Sequence, residues 1–128
     1  LSTCKAARNL ISGGNSVGVN IGANVDGGVV IAGNLIETQK DGRSPLGNPN
    51  DGVLITGSSG NTVGGVNAGA ANTIAFNGDR GLEISGEGAS GNRVLSNSIF
   101  SNATLGVDLL GGIENADQAP FSTRLPWS

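Results

Sequence analysis

Two acids, Glu83 and Asp108, have the type and spacing for proton-transfer chemistry. Each stands two residues after a glycine, in Gly81-Leu82-Glu83-Ile84 and Gly106-Val107-Asp108-Leu109, and 25 residues separate them. If one 25-residue coil brings these elements side by side, the carboxylates lie about 5 Å apart, the spacing of neighbouring parallel strands. Like charges that close push one pKa upward. A retaining glycosidase places its acid and its nucleophile about 5 Å apart for the same reason. The competing reading is two solvated carboxylates on an exposed strand, because Asn20 and Leu54 occupy the same position in earlier copies of the element.

A second group of candidates lies between Glu37 and Asp51. Glu37, Lys40, Asp41, Arg43 and Asp51 supply five of the 17 charges in the chain, in a stretch punctuated by Gly42, Pro45 and Pro49. Long loops on repeat scaffolds often face a ligand, so Lys40, Asp41 and Arg43 are candidate ligand-binding residues. Loop extension is also thermodynamically cheap, which leaves a passive solvated loop as the alternative. Asp51 and Arg80 both precede the recurring glycine and are expected to form a surface ion pair on adjacent coils.

The elements that must position these residues come from an internal repeat. Shifting the chain by 63 aligns Ala7, Asn9, Ile11, Gly18, Ile21, Gly28, Asn34 and Ile36 with Ala70, Asn72, Ile74, Gly81, Ile84, Gly91, Asn97 and Ile99. Within that interval, Asn-x-Ile recurs at Asn9, Asn34, Asn72 and Asn97, at intervals of 25, 38 and 25. Gly-aliphatic-x-aliphatic recurs at Gly18, Gly52, Gly81 and Gly106, and a weaker third element gives Ile31, Val63 and Val94. The long interval reads as a 25-residue coil with nine extra residues before Gly52 and four more near Gly64 to Ala71.

Each element alternates apolar and polar residues, which is the strand period. Three short strands per coil, separated by Gly and Asn turns, describe an all-β parallel solenoid of about four coils over residues 1–112, with 113–128 as a tail or cap. The inward set is Val19, Ile21, Ile31 and Ile36 on one rung and Leu82, Ile84, Val94 and Ile99 on a later one, with Leu10, Leu35, Thr73 and Ser98 pointing outward. A single rung buries too few aliphatics to offset the entropy of ordering its backbone, so rungs must stack. Asn9, Asn34, Asn72 and Asn97 are read as structural, because stacked amides can bond to one another and to turn backbone. Gly18, Gly52, Gly81 and Gly106 mark a turn with no room for a side chain or with a positive φ.

Composition narrows the function classes. Gly supplies 23 residues and Asn 15, and the aromatic content is 3%, so helical bundles are excluded and any core is aliphatic. The net charge of −3, with seven scattered basic residues, excludes a nucleic-acid partner. No run approaches the roughly 20 apolar residues of a membrane helix. Cys4 is the single cysteine and histidine is absent, so neither an internal disulfide nor a resident cofactor or metal is expected. Without a basic, apolar leader and with Leu1 in first place, the chain reads as a piece of something longer.

Three stretches carry a family resemblance: Gly33-Asn34-Leu35-Ile36 through Pro45-Leu46-Gly47-Asn48, Gly60-Asn61-Thr62-Val63-Gly64-Gly65 through Asn72-Thr73-Ile74, and Ala89-Ser90-Gly91-Asn92 through Gly106-Val107-Asp108-Leu109. Over residues 7–112 they resemble the right-handed parallel β-helix repeats of large bacterial surface and secreted proteins in the pectin-lyase-like superfamily. Leucine-rich repeats fit less well, since the intervening stretches are Gly, Asn and Ser-rich rather than helical. The resemblance implies right-handed winding, further β-helix coils in the parent chain, an extracellular or cell-surface location, and a polysaccharide or another surface protein as partner. It also implies that a cleft, where the family has one, lies on the face of Glu83 and Asp108. The family's hydrolase signatures (Asn-Thr-Asp, Asp-Asp, His-Gly, Arg-x-Lys) are missing. The expectation is therefore a non-catalytic stalk, adhesive or glycan-contacting segment, with a polysaccharide-degrading lyase or hydrolase fragment as the alternative.

Overall fold

The computed structural model describes residues 7–110 and the backbone of 116–118. Cys4, Phe121, Trp127 and most of the expected tail lie outside the described residues.

Strand-forming triplets between glycine and asparagine turns fold into three parallel sheets of four strands each. The first sheet contains β1 (Asn9–Ile11), β4 (Asn34–Ile36), β7 (Thr73–Ala75) and β10 (Ser98–Phe100). The second contains β2 (Val19–Ile21), β5 (Val53–Thr56), β8 (Leu82–Ser85) and β11 (Val107–Leu109). The third contains β3 (Val30–Ile31), β6 (Thr62–Gly64), β9 (Arg93–Leu95) and β12 (Ala116–Gln118). The chain passes each face four times, making about three full turns between β1 and β10. This is a parallel β-solenoid, all-β among the described residues.

Register follows the repeat. Asn9 pairs with Asn34 and Ile11 with Ile36, Ile36 pairs with Ile74, and Ile74 pairs with Ile99. In each strand one side chain in two points inward, so the interior is columns of equivalent aliphatics. Ile36, Ile74 and Ile99 fill one wall, Val53, Ile55, Leu82 and Ile84 the second, and Val63 and Val94 the third; all are fully buried. Val19, from the first coil, is only partly buried against this core.

Asparagines tie the coils together at all three corners. Between the third and first sheets, Asn9 Nδ2 donates to Asn34 Oδ1 (3.0 Å), Asn34 Nδ2 to Asn72 Oδ1 (3.0 Å) and Asn72 Nδ2 to Asn97 Oδ1 (2.9 Å). The same oxygens accept backbone N–H groups from Asn34 and Asn72, at 2.9 and 3.0 Å. A second column joins Asn61 to Asn92 at the entry to the third sheet (2.9 Å). A third runs Asn48, Asn77, Asn102 between the first and second sheets (3.1 and 2.7 Å). Sequence reading found the first column and overlooked the other two. Their signal was present in the paired Gly60-Asn61 and Gly91-Asn92, and in Asn77 and Asn102 one coil apart. Turns beside the columns take left-handed backbone: Gly33 (φ 72°) precedes Asn34, and Ser96 (φ 60°) holds the equivalent place before Asn97.

One expectation on the first sheet is corrected. Leu35 is not an outward, solvated side chain but is 7% exposed, whereas Leu10 in the same column is 48% exposed. The excursion after Glu37 folds back over it, bringing Leu35 Cδ2 to within 3.4 Å of where a Cβ on Gly42 would sit. That excursion is bonded to itself across its base. An antiparallel bridge joins Thr38 to Pro45, Leu46 N donates to Glu37 O (3.2 Å), and Gln39 N donates to Ser44 O (2.8 Å). The nine residues from Thr38 to Leu46 thus leave and rejoin the coil at one point. Glu37 itself turns inward, is buried, and accepts Gly13 N through Oε2 (3.1 Å), the job a column asparagine does elsewhere.

The extra residues near Gly64 are also distributed differently. Eight residues, 65–72, separate β6 from β7, where two, Ala32 and Gly33, separate β3 from β4. The turn after Ile55 is two residues shorter than the turn after Ile21, which leaves the net surplus of four.

Candidate functional site

The outward column of the second sheet carries Asn20, Leu54, Glu83 and Asp108. Asn20 pairs with Leu54, Leu54 with Glu83, and Glu83 with Asp108. Glu83 faces outward because Leu82 and Ile84, its neighbours along β8, are both fully buried. Glu83 and Asp108 are therefore side by side on adjacent strands.

They are not alone. Arg80, at the turn into β8, reaches along the same face. Its Nε donates to Asp108 Oδ2 at 2.7 Å. Its Nη1 lies 3.2 Å from Asp79 Oδ2, 3.6 Å from Glu83 Oε2 and 3.7 Å from Asp51 Oδ1. One guanidinium thus meets four carboxylates from three successive coils. Asp51 also accepts the Arg80 backbone N–H at 2.9 Å, and Thr104 Oγ1 donates to Asp79 Oδ1 at 2.8 Å. The expected Asp51–Arg80 pair is present, but it is not a surface pair: the Asp51 side chain is 8% exposed. Sequence reading missed that Arg80 also serves Glu83 and Asp108. The available signal was its position three residues before Glu83, on the turn that leads into the carboxylate column.

Electrostatics separate the acids. Burial pushes the Asp51 carboxyl above its ordinary value, against hydrogen bonds from the Arg80 backbone and from Glu83. Burial likewise raises Glu83, with Arg80 pulling the other way and Asp51 and Asp108 adding to the rise. The hydrogen bond to Asp108 is the main reason that Arg80 itself is held above its ordinary value. The cluster therefore combines an acid that keeps its proton readily with a carboxylate clamped by a cation, a division seen in acid–base sites. The clamp also occupies the space between the two.

Arg80→Met removes the one cation that the described residues bring to this cluster while keeping much of its packing volume. Four carboxylates would then face one another with no counter-charge, three of them, Asp51, Glu83 and Asp108, largely out of water. The expected loss is about 2 kcal/mol at neutral pH, shrinking at pH 4.5, and urea unfolding at both values measures it. Equal losses at the two values would count against the electrostatic account.

The second candidate group stands apart. Lys40, Asp41 and Arg43 are exposed at the tip of the excursion, and among the described residues no ion pair links them to the Arg80 cluster. Asp41 is used inside the loop: Ser44 Oγ (2.6 Å) and the backbone N–H groups of Arg43 and Ser44 (both 2.8 Å) donate to it. Those bonds, the Ser44 hydroxyl first, bring its pKa down to about 2. Among the described residues, no group of three or more His, Cys, Asp or Glu is arranged to hold a metal ion, and no helix is long and apolar enough to cross a membrane.

Fold and site together define a parallel β-solenoid with a cross-coil charge cluster on its second face. Compared with known proteins, the chain matches no family model, no curated protein and no solved structure.

Proposed function

We propose that this chain is a non-catalytic β-helix segment of an extracellular or cell-surface protein, a rigid stalk that presents loops and polar faces for adhesion or glycan contact. One observation carries the reading: the acids with the right spacing for catalysis are spent on Arg80, whose Nε holds Asp108 at 2.7 Å while its Nη1 faces the other three. A catalytic acid pair needs space between its members for the scissile bond. Here a guanidinium stands in that space and converts the acids into a brace across three coils. Asparagine columns at every corner brace the rod further, and the Thr38–Pro45 bridge closes the base of the excursion that carries Lys40 and Arg43 at its tip.

A polysaccharide-degrading fragment is the second reading, favoured by the direct register of Glu83 with Asp108 and by the raised pKa of Glu83. A panel of acidic and neutral polysaccharides, incubated with the protein with and without calcium, separates the two. No product is expected from any member of the panel. Product that disappears in both Glu83→Gln and Asp108→Asn would overturn the stalk and establish the enzyme.

A further inference from the structure

The Arg80 cluster has a charge imbalance that its geometry cannot remove. Asp51, Asp79, Glu83 and Asp108 surround one guanidinium, and only Asp108 and Asp79 lie within 3.2 Å of it; Glu83 and Asp51 stand back at 3.6 and 3.7 Å. Fully ionised, the group carries three uncompensated negative charges, with Asp51 almost wholly removed from water and Glu83 14% exposed. Repulsion at that distance and burial is relieved most cheaply by holding a proton.

We infer that the cluster is an acid-set latch: at mildly acid pH Asp51 and Glu83 keep a proton between them, and its loss at higher pH loosens the joint between the second and third coils. The joint is well defined. Asp51 closes the segment that returns from the excursion, its carboxylate accepts Arg80 N, and Gly52 N donates to Arg80 O at 3.1 Å. Asp79 N donates to Asn50 O at 3.3 Å beside it. The titratable and charged groups that face Asp51 and Glu83 are Arg80 and Asp79 from the turn before β8 and Asp108 from β11.

The sign follows from linkage. Both groups have folded pKa values above their unfolded ones, so the stability they contribute is complete below the ordinary carboxylate range and is lost as pH rises through the folded values. The sequence makes the effect readable. With no histidine in the chain, no side chain of ordinary pKa titrates between about pH 5 and 7.5. Asp41, whose pKa is about 2, contributes in the opposite sense and well below that range.

Urea unfolding of the whole chain, followed by circular dichroism from pH 4.5 to 7.5, tests the latch. The unfolding equilibrium constant is expected to rise with pH, by up to about tenfold per pH unit while one proton is being lost. Glu83→Gln, which keeps a donor and removes the charge, is expected to flatten the dependence and to be more stable than the parent at pH 7.5. Asp51→Asn makes the same test if Glu83→Gln does not fold. In the unsubstituted protein, amide exchange at Gly52 and Val53, whose N–H groups donate to Arg80 O and Gly81 O across the joint, corrected for intrinsic rate, is expected to speed up over the same range. A flat parent profile, variant profiles running parallel to the parent, or exchange at these two amides that does not change with pH would each overturn the proposal.

Discussion

Replacing Asn72 by leucine is expected to destabilise the protein by about 4 kcal/mol, a large share of what a domain of this size has to lose. Leucine has the branching of asparagine with two methyl groups in place of the amide oxygen and nitrogen, so no cavity is left and the loss comes from hydrogen bonds, with some crowding added. Asn72 Oδ1 accepts both the backbone N–H and the side-chain amide of Asn34. Its Nδ2 donates to Ile31 O (2.8 Å) and to Asn97 Oδ1 (2.9 Å). Asn72 is fully buried, and Asn34 and Asn97 are buried beside it. The substitution therefore takes Asn72 away from the Asn34 N–H, the Asn34 side-chain amide and the Ile31 carbonyl in a place that water does not reach, while Asn97 Oδ1 keeps the backbone N–H of residue 72. Each such group costs about 1–3 kcal/mol, and the apolar side chain returns part of the total. Asn9 tests the argument from the other end of the column. It is exposed and, among the described residues, its amide makes one bond, to Asn34, so Asn9→Leu is expected to cost less than about 1 kcal/mol. Urea unfolding of both variants measures the contrast, and equal costs would mean that burial is not what gives the column its strength.

The same column shows why the fold was legible in the sequence and the site was not. A solenoid repeats its chemistry in register, so one constraint, such as the amide at a corner, reappears at Asn9, Asn34, Asn72 and Asn97 and announces itself by interval. Alternation adds the inward face independently, since Ile36, Ile74 and Ile99 must all meet the same interior. Leu35 escaped because its burial depends on an excursion that occurs once, and nothing that occurs once has a period. The Asn48 member of the third column escaped for a related reason: the long turn at 65–72, which also occurs once, lies between it and Asn77, so that interval does not match the one from Asn77 to Asn102.

At the carboxylate face, register placed Glu83 beside Asp108 correctly, yet their chemistry turned on Arg80. Where an arginine side chain goes is decided by which charges surround it, not by the backbone it leaves from. Its direction across the coils towards Asp108 could be drawn only once Asp51, Glu83 and Asp108 had been placed in space.

Gly52→Ala is expected to cost about 3 kcal/mol, although it adds a single methyl group and asks for no unusual backbone. A Cβ on Gly52 would lie 2.7 Å from Ile74 Cγ2, 2.7 Å from Asn77 Nδ2 and 2.8 Å from the Gly81 carbonyl. All three belong to the next coil. The crowding recurs up the stack, with 2.7 Å from Gly18 to the Gly52 carbonyl and 2.7 Å from Gly81 to the Gly106 carbonyl. The glycine column is therefore selected by the closeness of successive coils. Relief requires Gly81 to withdraw, but its carbonyl accepts Val53 N at 2.9 Å, so making room for the methyl stretches the ladder that joins the two coils. Overpacking a rigid site by one methyl group costs about 1–3 kcal/mol, and the upper end is expected because backbone rather than a flexible side chain must yield. Gly22 supplies the control, since a Cβ there would meet nothing within 4 Å, and Gly22→Ala is expected to stay within about 0.5 kcal/mol of the parent. Thermal and urea unfolding of the two alanine variants decide the matter. A Gly52→Ala protein as stable as Gly22→Ala would show that the coils can separate at little cost, and the rigidity assigned to the rod would fall with it.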